Sequence, residues 1–269
     1  MAGLARLLKI WGACNVNTFA STYCSRQVIN VLFVDHDHEF KLIMATNYSN
    51  PILEDQIDQF LCDENNLLIK LDNKKLIDQD MAIVVEQAIQ KKQCTYLDLQ
   101  DNEITSEGMP ILALALSENS KLHTLYLHDN HLFDKGIYSL AQILTSNNHT
   151  LKILGLNSIG LTDVGAEDLA VMLQKNRTLT HLQLQANEID NRGILYLAEA
   201  LTKSNTTLEQ LELAENKLVN DSSVDLLVEI IKHNRSLKVL NVRLCNISDS
   251  GKTKLQAATE ANKDLQLML

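Results

Sequence analysis

Residues 94–104 read CTYLDLQDNEI, and the same frame returns five times: LHTLYLHDNHL at 122–132, LKILGLNSIGL at 151–161, LTHLQLQANEI at 179–189, LEQLELAENKL at 208–218 and LKVLNVRLCNI at 237–247. The first residues of these six rows are spaced 28, 29, 28, 29 and 29 apart. A degenerate row precedes them, with Ile69, Leu71 and Leu76 standing 28 residues before Leu97, Leu99 and Ile104. A fragment closes the series at Leu265 and Met268, the latter 28 residues after Leu240. Internal repetition at a fixed period of this size marks a stacked-repeat architecture.

Each row alternates L-x-L, which places both leucines on one face of a short strand. The segments between rows carry apolar residues at helical spacing, as in GAEDLAVMLQKN at 165–176. Gly108, Gly136, Gly165, Gly193 and Gly251 share one column, broken by Ser222, and a Leu-Ala pair follows four residues later in four of the rows, as at Leu169-Ala170. One such unit cannot bury its own Leu face, so the units must stack around a continuous core.

The period, the L-x-x-L-x-L-x-x-N-x-L frame and the Gly and Leu-Ala columns together resemble the leucine-rich-repeat family, in its 28–29-residue, ribonuclease-inhibitor-like class. NOD-like receptor repeat domains and Ran GTPase-activating proteins belong to that class too. The resemblance covers about three quarters of the chain. It implies an α/β solenoid, with a curved parallel sheet on the concave side and helices on the convex side. Eight strands at ~4.8 Å spacing give a sheet of roughly 34 Å.

The Asn column comprises Asn102, Asn130, Asn187 and Asn216, with Cys245 in the same slot of the last row. These are read as a structural ladder, because a turn-lining Asn satisfies backbone groups of adjacent coils that are otherwise buried unpaired. Row three departs, with Ile159 in that column and Gly155 in a strand, and a local irregularity is expected there. Positions alternating with the core leucines face outward on the concave side. One column reads Asp98, Tyr126, Gly155, Gln183, Glu212 and Asn241, and the next includes His128 and Arg243. Asp98, Tyr126, His128, Gln183, Glu212, Asn241 and Arg243 are therefore the candidate partner-binding residues. Tyr and Arg are frequent binding hot spots, and the two acids suit a basic partner.

The 269 residues carry a net charge of −10, which argues against a nucleic-acid binder, whose phosphate contacts need surplus Lys and Arg. No window approaches the ~18 consecutive apolar residues of a membrane span. The five cysteines form neither a disulfide framework nor a zinc pattern, and Cys94 and Cys245 fall at core positions. A reducing compartment follows as the simpler reading. The run Asp35-His36-Asp37-His38-Glu39 is rich in metal-ligand types, yet it lies between strand-like runs at 28–34 and 40–45 and reads as a hairpin turn. No metal and no cofactor are expected. GxSxG, GxxxxGK[ST] and HExxH are all missing, so no catalytic residue is assigned.

Seven N-x-S/T sequons are present. Four of them (Asn148, Asn176, Asn205, Asn234) recur three residues before a row. There the repeat itself accounts for the Asn, as a helix-ending residue suited to the left-handed conformation.

Seven of the twelve aromatics precede residue 65, and residues 1–34 contain no acid. The chain is divided accordingly: 1–26 a tail with a targeting-like composition, 27–65 a hairpin and helix cap, 66–269 the repeats. The cap helix opens at Asn50-Pro51 and runs to about Cys62. Residues 1–26 have the look of a mitochondrial presequence, but a cytoplasmic chain with a loosely docked tail is the reading adopted. Functionally the sequence describes a non-enzymatic scaffold that binds another protein on its concave face. The resemblance also implies two alternatives, a GTPase-activating type of regulator and an inhibitor of a ribonuclease-like hydrolase.

Overall fold

The computed structural model describes residues 30–36, 39–45, 48–60, 67–117, 121–146 and 148–269. The expectations for residues 1–26 lie outside them. The chain divides into two compact units, Met1–Pro51 and Ile52–Leu269. In the first, β1 (Asn30–His36) and β2 (Glu39–Ala45) pair antiparallel with His36 opposite Glu39. Both strands thus run into the polar stretch read as a turn.

The second unit opens within α1 (Pro51–Asp58), which buries Leu53 and Ile57. It ends short of Cys62. The chain tightens after Asp58, where the Phe60 N–H donates to the Ile57 carbonyl. The Lys92 ammonium donates to the carbonyls of Asp58 and Phe60 (3.2 and 3.3 Å), tying this end to the first repeat.

Eight three-residue strands follow: β3 (Leu68–Lys70), β4 (Tyr96–Asp98), β5 (Thr124–Tyr126), β6 (Ile153–Gly155), β7 (His181–Gln183), β8 (Gln210–Glu212), β9 (Val239–Asn241) and β10 (Gln266–Met268). They form one parallel sheet in sequence order. Helices connect them: α2 (Met81–Val84, continued in wider π-type turns over Val85–Lys91), α3 (Met109–Ser117), α4 (Phe133–Ser146), α5 (Asp163–Lys175), α6 (Asn191–Lys203), α7 (Val224–His233) and α8 (Asp249–Thr259). Crossovers of one hand between sequential parallel strands put all the helices on one face. The core lies between the two layers. Leu97, Leu125, Leu154, Leu182, Leu211 and Leu240 are fully buried at the strand centres, as are Leu112, Leu140, Leu169 and Leu197 from the helices. No helix among the described residues is long and apolar enough to cross a membrane.

Two sets of buried polar side chains and a third, half-buried set stitch one coil to the next. Asn102 accepts from the N–H groups of Lys74 and Leu76 (3.0 Å each) and donates to the carbonyls of Leu71 and Leu99. Asn130, Asn187 and Asn216 repeat this between later coils, and the Cys245 thiol donates to the Leu213 carbonyl at 3.3 Å. At the other end of the coils, Asn148, Asn176, Asn205, Asn234 and Asn262 each donate to a carbonyl in the helix of the coil before their own.

The third set explains the glycine column at Gly108, Gly165 and Gly251. Asp134 accepts from the N–H groups of Thr162 and Gly165 at the start of the next helix (2.9 and 3.0 Å), and Asp78 does the same at Thr105 and Gly108. A Cβ on Gly165 would stand 2.6 Å from the Asp134 carboxylate, so only glycine admits the acid so close.

Three expectations are corrected. First, Asn176 and Asn234 are extended (φ −66 and −78), not left-handed. They act through their buried amides. A left-handed residue recurs instead in the turn after the strand, at Asp101, Asp129, Ser158, Ala186, Glu215 and Leu244. Second, Leu218 is exposed and Val219 takes its core slot, because the turn closed by Val219 N–H to the Asn216 carbonyl adds a residue. Third, Leu267 rather than Met268 pairs with Leu240. Only Gln266 donates to the Lys238 carbonyl, where earlier junctions spend two residues on the equivalent acceptor, so the last coil is one residue shorter.

Candidate partner-binding face

The helix-free face of the sheet presents three side-chain columns. The first begins each strand and contains Leu68, Tyr96, Thr124, Ile153, His181, Gln210 and Val239. The second contains Lys70, Asp98, Tyr126, Gly155, Gln183, Glu212 and Asn241. The third, just beyond the strands, holds Gln100, His128, Asn157, Gln185, Ala214 and Arg243.

All seven sequence candidates fall in the second and third columns, but their exposure differs from expectation. Asp98 (7%) and Glu212 (6%) are as covered as core residues, and His128 and Asn241 are also buried. Tyr126 and Gln183 are half-buried, and Arg243 alone is exposed. The cover comes from neighbours along the column, which alternation within a single strand does not reveal.

The face separates into two clusters. In the first, the Tyr96 hydroxyl donates to Asp98 Oδ2 (3.1 Å) and the Gln100 N–H donates to Asp98 Oδ1 (3.2 Å). The Tyr96 and Tyr126 rings meet edge to face at 5.5 Å, and Tyr126 stacks on His128 at 5.1 Å. His128 Nδ1 accepts from the Asn157 N–H at 2.9 Å, so the neutral ring carries its proton on Nε2. Burial pushes the His128 imidazole below its ordinary value, against the opposing pull of Asp129, Asp98 and a hydrogen bond with Gln183. Burial and the Asp98 charge push the Tyr96 phenol well up. Gly155 is the floor of this cluster, since a Cβ there would overlap the His128 imidazole and come within 2.5 Å of Tyr126 Cδ1.

In the second cluster Glu212 gathers three amides. Gln185 donates to Oε2 (3.1 Å), Gln210 to Oε1 (2.6 Å) and Asn241 to Oε2. The Arg243 N–H in turn donates to Asn241 Oδ1 at 3.1 Å. Glu212 is thus a hub that orders its neighbours, and its charge is spent on them.

The irregularity expected in row three lies in its turn, since β6 keeps register with both neighbours. With Ile159 in the Asn slot, the Phe133 N–H donates to the Ile159 carbonyl at 2.9 Å. Phe133 occupies the position where Thr162 and Asp190 cap the next two helices. It caps nothing, adopts φ 51 and is 55% exposed, stacked on His131 and lying against Gly160. Sequence reasoning missed Phe133, although an aromatic in a column of Ser, Thr, Asp and Asn was a visible signal. It missed Tyr96 and Gln210 by starting the face one column late, and it left Gln185 of the third column out of the candidates.

Among the described residues no group of three His, Cys, Asp or Glu side chains is placed to hold a metal ion.

Compared with known proteins, residues 95–109, 118–141, 175–198, 204–228 and 233–255 match the family model described as Leucine Rich repeat. The unmatched gap contains row three. NACHT, LRR and PYD domains-containing protein 14 of Homo sapiens is 29% identical over 155 residues, which is 57% of this chain and 13% of that protein. NACHT, LRR and PYD domains-containing protein 3 of Rattus norvegicus is 36% identical over 98 residues, 36% of this chain and 10% of that protein. The matched part of the chain therefore spans little more than a tenth of these relatives' length. Among solved structures, the tropomodulin C-terminal domain of Caenorhabditis elegans aligns with a TM-score of 0.42 at 15% identity, covering 70% of this chain and 93% of that one.

Proposed function

Since the chain is a leucine-rich-repeat protein, of the repeat type found in NACHT, LRR and PYD domains-containing proteins, we propose that it is a protein-interaction scaffold whose helix-free sheet face binds another protein. One observation carries this reading: the polar and aromatic side chains of that face are held by one another. Glu212 fixes Gln185, Gln210 and Asn241, while Asn157 and Gln183 fix His128. A surface whose rotamers are already ordered loses little entropy on association. No residue on it is assigned a catalytic role, and the reading places the protein among binding modules. The partner surface is read as basic in part, from Asp98, since the Glu212 carboxylate is already engaged by three amides.

The test is affinity capture with the intact chain, compared across three forms. Tyr126→Ala combined with Arg243→Glu should lower recovery of a specific partner at least about tenfold, the order of one to two hot-spot residues. Glu167→Lys, on the exposed side of α5, should leave it unchanged. Equal recovery by the strand-face variant, with loss by Glu167→Lys, contradicts the reading.

A further inference from the structure

We propose that the corner formed by Tyr96, Tyr126 and Asp98 receives the cationic side chain of an arginine or lysine projecting from a protein partner. This deepens the preceding reading and rests on it.

Two aromatic rings meet at 83° with centroids 5.5 Å apart, giving perpendicular walls. Tyr126 is held in that pose by the stacked His128 and by Gly155 beneath both. Beside the Tyr96 ring is the Asp98 carboxylate, which accepts from the Tyr96 hydroxyl at 3.1 Å. A phenol donating to a carboxylate gains electron density in its ring, and ring faces of this kind attract ammonium and guanidinium groups.

The decisive feature is that the Asp98 charge is uncompensated. Its two described donors, the Tyr96 hydroxyl and the Gln100 N–H, are both neutral. Among the described residues, no Lys, Arg or His forms an ion pair with it. A carboxylate has about four acceptor positions, so capacity remains for a charged donor. A largely buried anion gains more from such a donor than an exposed one does. The contrast with Glu212 is instructive: there three amides have taken the place a cation would fill. Lys70, the register neighbour of Asp98 on β3, is exposed and is a competitor for the site.

The intact protein, labelled at tyrosine rings with carbon-13, is titrated by NMR with N-acetyl-arginine methylamide and N-acetyl-lysine methylamide. N-acetyl-citrulline methylamide, uncharged but of the arginine's shape, is the comparison. The Tyr96 and Tyr126 ring signals should shift saturably with both cations and at least about tenfold more weakly with citrulline. Asp98→Asn should weaken the arginine derivative at least about fivefold, and Lys70→Ala should tighten it about twofold. Should Asp98→Asn fail to fold, the citrulline and Lys70→Ala comparisons still decide. Rings that ignore the cations, or that respond equally to citrulline, overturn the proposal. If that happens while face-specific partner capture persists, the cation corner alone is wrong; loss of face-specific capture removes the reading beneath it.

Discussion

Replacing Asn187 by alanine removes one amide from between two coils, and the structure shows what is stranded. Asn187 Oδ1 accepts from the N–H groups of Ile159 and Leu161, both at 3.1 Å, and Nδ2 donates to the carbonyls of Leu156 and Leu184. Row three has no Asn of its own, so these bonds have no duplicate from that coil. The Leu184 carbonyl keeps a second donor in Asn216, whereas the two N–H groups and the Leu156 carbonyl are left with none of their present partners. Each buried orphan costs about 1–3 kcal/mol. With three groups stranded, Asn187→Ala should therefore lose at least about 3 kcal/mol, read from the denaturant midpoint. Asn157→Ala is the control, because its Oδ1 accepts from Gln185 N–H at 2.8 Å on the half-exposed sheet face, where water can substitute. That variant should cost under about 1 kcal/mol. Native-state hydrogen exchange localises the effect, and protection at Ile159 and Leu161 should fall first. If Asn187→Ala costs no more than Asn157→Ala, the ladder does not hold the coils together.

Gly155→Ala should displace His128 and Tyr126, costing about 1–3 kcal/mol in a melt; an unchanged melting temperature and unshifted His128 signals would refute the packing. The lowered His128 pKa sets a pH dependence: its contribution is complete above the unfolded value near 6.5 and is lost as pH falls through 6.5 toward the folded value. Asp168, pushed up to about 6 by burial, acts in the opposite direction, so the quantity to measure is wild-type stability minus that of His128→Asn between pH 7 and 4. A flat difference rules out the assignment. Burial pushes the Cys94 and Cys245 thiols up to about 12 and about 11. Both should resist alkylation at pH 8 in the folded chain and react once it is unfolded, as peptide mass mapping would reveal.

The solenoid was legible because its causes are local and periodic. Leu182 and Leu184 alternate within one row, and the register between coils follows from repeating that pattern every 28 or 29 residues. What escaped depends on residues a full coil away. Glu212 reads as a solvated acid until Gln185 is placed beside it from the preceding coil and Asn241 from the following one. Asn176 reads as a helix stop or a sequon, but its side chain is buried, donating to the Leu144 carbonyl and accepting from Thr178 and Leu179 N–H, which leaves no room for a glycan on the folded chain. The slips at Leu218 and Met268 have a common origin, in that a fixed column count cannot register a turn that gains or loses one residue.

The central claim, that the helix-free face binds the partner, is tested most directly by a photo-crosslinking amino acid placed singly at Gln183 on the sheet and at Glu167 on the helices. With the captured partner, the account predicts a covalent adduct from position 183 and none from position 167. An adduct from position 167 alone would contradict it.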